Sequence, residues 1–213
     1  MLSKVTGLGI IGLDAFIVDV ESDVGSGLPR LDIVGLPDTS VKESKERVRS
    51  AIKNSGKRFP SGAITINLAP ADVRKEGAYL DLPIAIGIIK ASTDIIKNDI
   101  SDYAFIGELS LDGNIRRING MMPLLISAAK LGIKKYIIPY ANKSEAEYID
   151  GLEVYPCKTL NEVLGHLTGA YPVEKVTTVS YRAGQGKSGG EDLKFNANRA
   201  VYGVVLSLGI VVA

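Results

Sequence analysis

The sequence predicts an α/β (α+β) fold, a two-layer mixed sheet with helices packed on it. Three observations point there. The first 34 residues are β-rich and broken by loop chemistry. From residue 40 onward, segments of helical periodicity alternate with short strand-like runs. The apolar share of 46% against 23% charged residues is what a buried core with a solvated surface requires.

In chain order, Val5 to Leu13 is an apolar, glycine-spaced strand. Ala15 to Val24 alternates, with Phe16, Val18 and Val20 on one side and Ile17, Asp19 and Glu21 on the other, as a half-buried strand does. Gly25 to Pro29 is a loop, and Leu31 to Val34 is a short third strand. A helix follows, with Ser40 and Glu43 placed as a capping box, Val41, Ser44, Val48, Ala51 and Ile52 on its inner face, and Gly56 as its stop. Ala63 to Leu68 is a strand, and Leu82 to Lys90 is an almost wholly apolar helix that tolerates Pro83 in its first turn. Phe105 to Leu109 and Asn114 to Ile118 flank the hairpin turn Asp112-Gly113. Met121 to Leu131 is a helix closed by Gly132, Tyr136 to Ile138 a strand, Ser144 to Ile149 a short helix, Leu152 to Tyr155 a strand and Leu160 to Leu167 a last helix. The domain is expected to span residues 1–169. Residues 170–213 lack periodicity over 176–199 and are expected to be a linker and tail.

The single cysteine, Cys157, excludes an intrachain disulfide, fits a reducing cytosol and reads as a half-buried small hydrophobe. The amino terminus has no signal-peptide pattern. The uncharged stretch Ala200 to Ala213 is shorter than the ~20 residues a spanning helix needs, so no membrane role is expected. Cytoplasmic location is the resulting expectation.

Most chemical motifs fail on context. Gly7, Gly9 and Gly12 spell G-L-G-I-I-G, but inside a strand rather than between a strand and a helix, which a dinucleotide site needs. Gly186-Lys187-Ser188 ends like a phosphate-binding loop, yet its first glycine is replaced by Tyr181 and no apolar helix follows. His166 is the only histidine, which excludes histidine triads and multi-histidine metal sites; it is expected to face solvent near the end of the last helix. Asp19 and Glu21 share a strand face and are expected to be solvated. No catalytic, cofactor or metal residue is therefore assigned. One patch stands out. Residues 42–75 hold nine basic side chains against three acidic ones, in a chain of net charge +1. Lys42, Lys45, Arg49, Lys53, Lys57, Arg58, Arg74 and Lys75 are the candidate contacts to a phosphate backbone. No aromatic residues are seen to interleave with them, so base stacking is not expected.

Several strings are specific. G-L-P-R-L-D-I-V-G-L-P-D (27–38), V-K-E-S-K-E-R-V-R-S-A-I-K-N-S-G (41–56), I-N-L-A-P-A-D-V-R-K-E-G (66–77), D-L-P-I-A-I-G (81–87) and F-I-G-E-L-S-L-D-G (105–113) occur in this order. Together they resemble the amino-terminal domain of the magnesium-chelatase-like AAA+ ATPases of the YifB/ComM type, over roughly Val5 to Leu167. The resemblance implies the fold of Lon-type protease domains and a bacterial cytosolic protein. In its full-length form an AAA+ ATPase, requiring ATP and Mg²⁺, would follow this domain and assemble with neighbouring subunits into a hexamer that processes DNA in natural transformation. On that pattern this chain is expected to stop before the ATPase, as a truncated or frame-altered copy, and to act as an accessory or assembly domain without activity of its own. Lon-type domains use a Ser-Lys dyad. The matching string Lys75-Glu76-Gly77-Ala78-Tyr79-Leu80-Asp81 puts Tyr79 at the serine position, and Asn119-Gly120-Met121-Met122 puts Met122 at the lysine position. A phenol and a thioether cannot form that dyad.

Overall fold

The computed structural model describes residues 1–12 and 14–179. Nine strands are described: β1 (Leu2–Ile11), β2 (Asp14–Val24), β3 (Arg30–Val34), β4 (Ala63–Ala69), β5 (Tyr103–Phe105), β6 (Glu108–Leu109), β7 (Ile115–Arg116), β8 (Lys135–Pro139) and β9 (Glu153–Cys157). The helices are α1 (Thr39–Asn54), α2 (Asp81–Ser92), α3 (Met121–Ala128), α4 (Lys143–Ala146) and α5 (Leu160–Thr168). Seven strands form one mixed sheet in the order β3-β4-β2-β1-β5-β8-β9, and β6 pairs with β7 in a separate two-stranded sheet. The pairs β1/β2 and β2/β4 are antiparallel and the remaining pairs of the large sheet are parallel. This is the mixed sheet with packed helices that the alternation of segments predicts.

Two apolar clusters explain the packing. The first joins Val5, Val18, Val20, Ile64, Ile66 and Leu68 of the sheet to Val48 and Ile52 of α1, Ile84 and Ile88 of α2 and Leu160 and Leu164 of α5. The second joins Leu8, Ala104, Tyr136 and Ile138 to Met121, Leu124 and Leu125 of α3 and to Ala146 of α4. Neighbouring residues Ala104 and Phe105, and Tyr136 and Ile137, divide between the clusters. Strand side chains alternate faces, so the β5-β8 part of the sheet is covered on both sides. On β2 and β4 the other face is polar: Lys4 pairs with Asp19 at 2.8 Å, and Asn67 donates to Glu21 at 2.8 Å. The pair of carboxylates thus lies on the solvated face, each with its own partner.

The glycines of β1 are explained by packing. A side chain at Gly7 would sit 3.1 Å from Leu80 and Pro83, and one at Gly9 would run into the Phe16 ring. They allow α2 and Phe16 to close on the strand.

Two local expectations are corrected. The N-cap of α1 is Asp38, whose Oδ1 accepts from Val41 N–H at 2.7 Å; Glu43 instead lies 3.9 Å from Arg47, so Ser40 and Glu43 form no capping box. The run Phe105 to Leu109 is not one strand, because Tyr103–Phe105 is drawn into the large sheet beside β1 and β8, leaving two residues for the hairpin. The packed chain also runs past residue 169. Val176 is 7% exposed in the second cluster, and its N–H donates to the Val154 carbonyl at 2.8 Å.

Candidate nucleic-acid interface and the dyad positions

Helix α1 separates its residues cleanly. Val41, Ser44, Val48, Ala51 and Ile52 are buried, as their spacing requires. Lys42, Glu46, Arg49 and Lys53 are exposed along the outer face, one to two turns apart. Arg47, counted in the basic excess, turns inward at 20% side-chain exposure to meet Asp81, the fully buried first residue of α2. Its Nε and Nη2 donate to the carboxylate at 2.7 and 3.1 Å. The Ser44 hydroxyl and the Leu109 N–H also donate to Asp81, the latter at 3.2 Å. Burial pushes the Asp81 carboxyl up, and Arg47, Ser44 and Leu109 pull it back. The network ties α1, α2 and β6 together; neither sequence periodicity nor motif signalled it.

The eight candidate phosphate contacts do not all survive. Lys75 is 1% exposed, and its ammonium donates to the Pro70 carbonyl. Its backbone pairs with Leu36 and Asp38, which carries the side chain under the 70–74 loop. Burial lowers its pKa, with Asp72 pulling the other way. Lys75 is therefore removed from the interface. Lys45 faces Asp32 at 3.7 Å, and Arg74 faces Glu76 at 3.3 Å. Lys42, Arg49, Lys53, Lys57 and Arg58 have no ion-pair partner among the described residues. All five lie along α1 or just past its end, and Lys57 is half-buried. The expected lack of aromatics is also corrected: Arg49 stacks over the Phe59 ring at 5.6 Å.

Tyr79 and Met122 both pack, partly buried, against the second apolar cluster. The Tyr79 ring covers Gly77, and burial, with Glu76 adding, pushes its hydroxyl up to about 12. The Met122 N–H donates to Glu145 at 3.2 Å. A phenol held protonated and a thioether offer neither nucleophile nor base. Cys157 is buried, which with Glu162 pushes its thiol up to about 12. His166 is half-buried rather than solvent-facing, between Tyr103 and Tyr155. Among the described residues no three His, Cys, Asp or Glu side chains come together as a metal would need, and no helix is long and apolar enough to cross a membrane. Gly186-Lys187-Ser188 and the stretch 200–213 lie outside the described residues.

The family profile "Subunit ChlI of Mg-chelatase" matches residues 20–142, more than half of the chain. The chain is 41% identical over 174 residues to "Uncharacterized protein YifB" of Escherichia coli, covering 82% of this chain and 34% of that protein. It is 37% identical over 169 residues to "Competence protein ComM" of Haemophilus influenzae, covering 79% and 33%. "Lon protease 2" of Bacillus subtilis is 34% identical over 136 residues, covering 63% and 24%. The chain thus spans about a third of the length of its YifB and ComM relatives. With the ordered strings at 27–38, 41–56, 66–77, 81–87 and 105–113, these matches show that the chain belongs to the magnesium-chelatase-like (subunit ChlI) family, of the YifB/ComM type.

Proposed function

We propose that this chain is a non-catalytic accessory domain of a magnesium-chelatase-like AAA+ motor, working in the cytoplasm. In the full-length form the ATPase would bind ATP and Mg²⁺, and this domain would contact it and neighbouring subunits of a hexamer. DNA processing in natural transformation is the motor's proposed task, supported by the likeness to a competence protein. The observation that carries the non-catalytic reading is the occupancy of the two dyad positions. Tyr79 and Met122 are packed into an apolar cluster where a Lon-type peptidase would hold serine and lysine.

The expected outcome with a serine-directed fluorophosphonate probe is no labelling of the folded chain and no cleavage of an unfolded protein substrate. Labelling of a single serine that heat denaturation abolishes would overturn this reading. A second reading is favoured by a specific observation: five cations without ion-pair partners among the described residues follow one helix face and its end, with Arg49 stacked on Phe59. Such a surface suits the backbone of a nucleic acid, and it is compatible with the accessory role.

A further inference from the structure

Residues 171–179 run along the domain surface as a strap leading away from α5. Four backbone N–H groups fasten it. Tyr171 donates to the Gly165 carbonyl at 3.0 Å, Val176 to Val154 at 2.8 Å and Val179 to Glu147 at 2.8 Å. The fourth, Val173, donates to Nδ1 of His166 at 3.1 Å, the only side-chain acceptor among them. We propose that His166 is a proton-operated latch: its neutral ring holds the start of the strap on the domain, and protonation at Nδ1 lets that start go.

The geometry fixes where the proton must go. An Nδ1 that accepts from Val173 carries no hydrogen, so the neutral ring bears its proton on Nε2, which faces the Tyr103 hydroxyl at 3.3 Å. The second proton can enter only at Nδ1, which turns the acceptor into a donor aimed at another donor. The Val173 hydrogen bond cannot survive that change. The ring cannot move aside without losing its contacts, because its centroid lies 4.4 Å from Tyr155 and 5.8 Å from Tyr103.

The charged groups around the ring are largely engaged elsewhere. On β8, Lys135 pairs with Asp102, just before β5, at 2.6 Å. On β9, Glu153 accepts from the Tyr155 hydroxyl at 2.9 Å. On α5 itself, Glu162 accepts from Lys158 N–H at 2.7 Å. The strap contributes Glu174 and Lys175, next to the latched residue. None of these carboxylates is hydrogen-bonded to the imidazole. Burial, and then Lys135, hold the imidazole pKa below its ordinary value. A depressed folded-state pKa means that the latch contributes fully above the ordinary imidazole value of 6.5 and is lost as pH falls through the lower, folded value.

The test is amide hydrogen exchange by NMR on the whole chain between pH 8 and pH 5, expressed as protection relative to the intrinsic rate. Protection at Val173 is expected to fall by up to about tenfold per pH unit between the released and latched pKa values, a dependence that should vanish when residue 166 cannot titrate. His166→Asn supplies an acceptor near Nδ1 that does not titrate; it is expected to keep Val173 protected at every pH. His166→Ala is expected to leave it unprotected at every pH. A pH-independent protection factor in the parent, or the same pH dependence in His166→Asn, would overturn the latch. Should neither variant fold, the ring ¹⁵N shifts of the parent decide: a proton on Nδ1 at pH 8 contradicts the proposal.

Discussion

Replacing Asp81 by alanine is expected to lower the stability of the domain by about 3–5 kcal/mol, the usual consequence of removing one partner of a buried ion pair. Asp81 is fully buried, and its loss strands three donors at once: the Arg47 guanidinium, the Ser44 hydroxyl and the Leu109 N–H. The Ser44 hydroxyl and the Leu109 N–H are fully buried and carry a desolvation penalty that water cannot relieve, whereas the Arg47 guanidinium, at 20% side-chain exposure, is partly relieved. Against a typical total of about 5–15 kcal/mol, such a loss lowers the thermal midpoint by roughly 6–20 °C in a domain of this size. Circular dichroism melting reads it directly. The double variant Asp81→Leu with Arg47→Met removes both charges and is expected to recover most of the loss, since an apolar replacement of a buried pair is often neutral. A single variant that melts with the parent would show that the network does not hold α1, α2 and β6 together.

Reversing Arg49 and Lys53 to glutamate is expected to abolish binding of labelled DNA to the domain at low salt, with a loss well beyond tenfold. The two lie one turn apart on the exposed face of α1, between Lys42 on one side and Lys57 and Arg58 on the other. Each phosphate neutralised contributes about 0.9 to the slope of log affinity against log salt, so removing two contacts lowers that slope by about 2 before repulsion is added. Lys75→Gln, by contrast, is expected to leave the slope unchanged, because that ammonium is buried against the Pro70 carbonyl. Fluorescence anisotropy over a salt series measures both. Binding that survives the double reversal would move the site elsewhere.

What could be read from the chain and what could not follows the range of the interactions. The inner face of α1 was legible because Val41, Ser44, Val48, Ala51 and Ile52 recur at helical spacing, and burial follows that period. The cap of α1 was not, because Asp38, Thr39 and Ser40 are all chemically competent and only the chain direction out of β3 selects Asp38. At α5 the Thr159 side chain caps the Glu162 N–H, and the Glu162 carboxylate reaches back to the N–H of Lys158, one residue before the cap. Lys75 looked like a surface cation, and Arg47 counted only in the basic excess. Their burial depends on Asp81, 34 residues from Arg47, and on the pairing of Lys75 with Leu36 and Asp38. Neither is visible in local periodicity. The dyad positions were legible because a strong string match aligns Tyr79 and Met122, and the structure adds that both are packed rather than poised.

We propose that this domain serves assembly and contributes no chemistry of its own. Light scattering on a full-length YifB-type relative, with and without the region matching residues 1–169 and in the presence of ATP and Mg²⁺, tests it most directly. The expected result is a hexamer from the intact protein and smaller species from the shortened one. A shortened protein that forms the same ring and hydrolyses ATP at the same rate would contradict it.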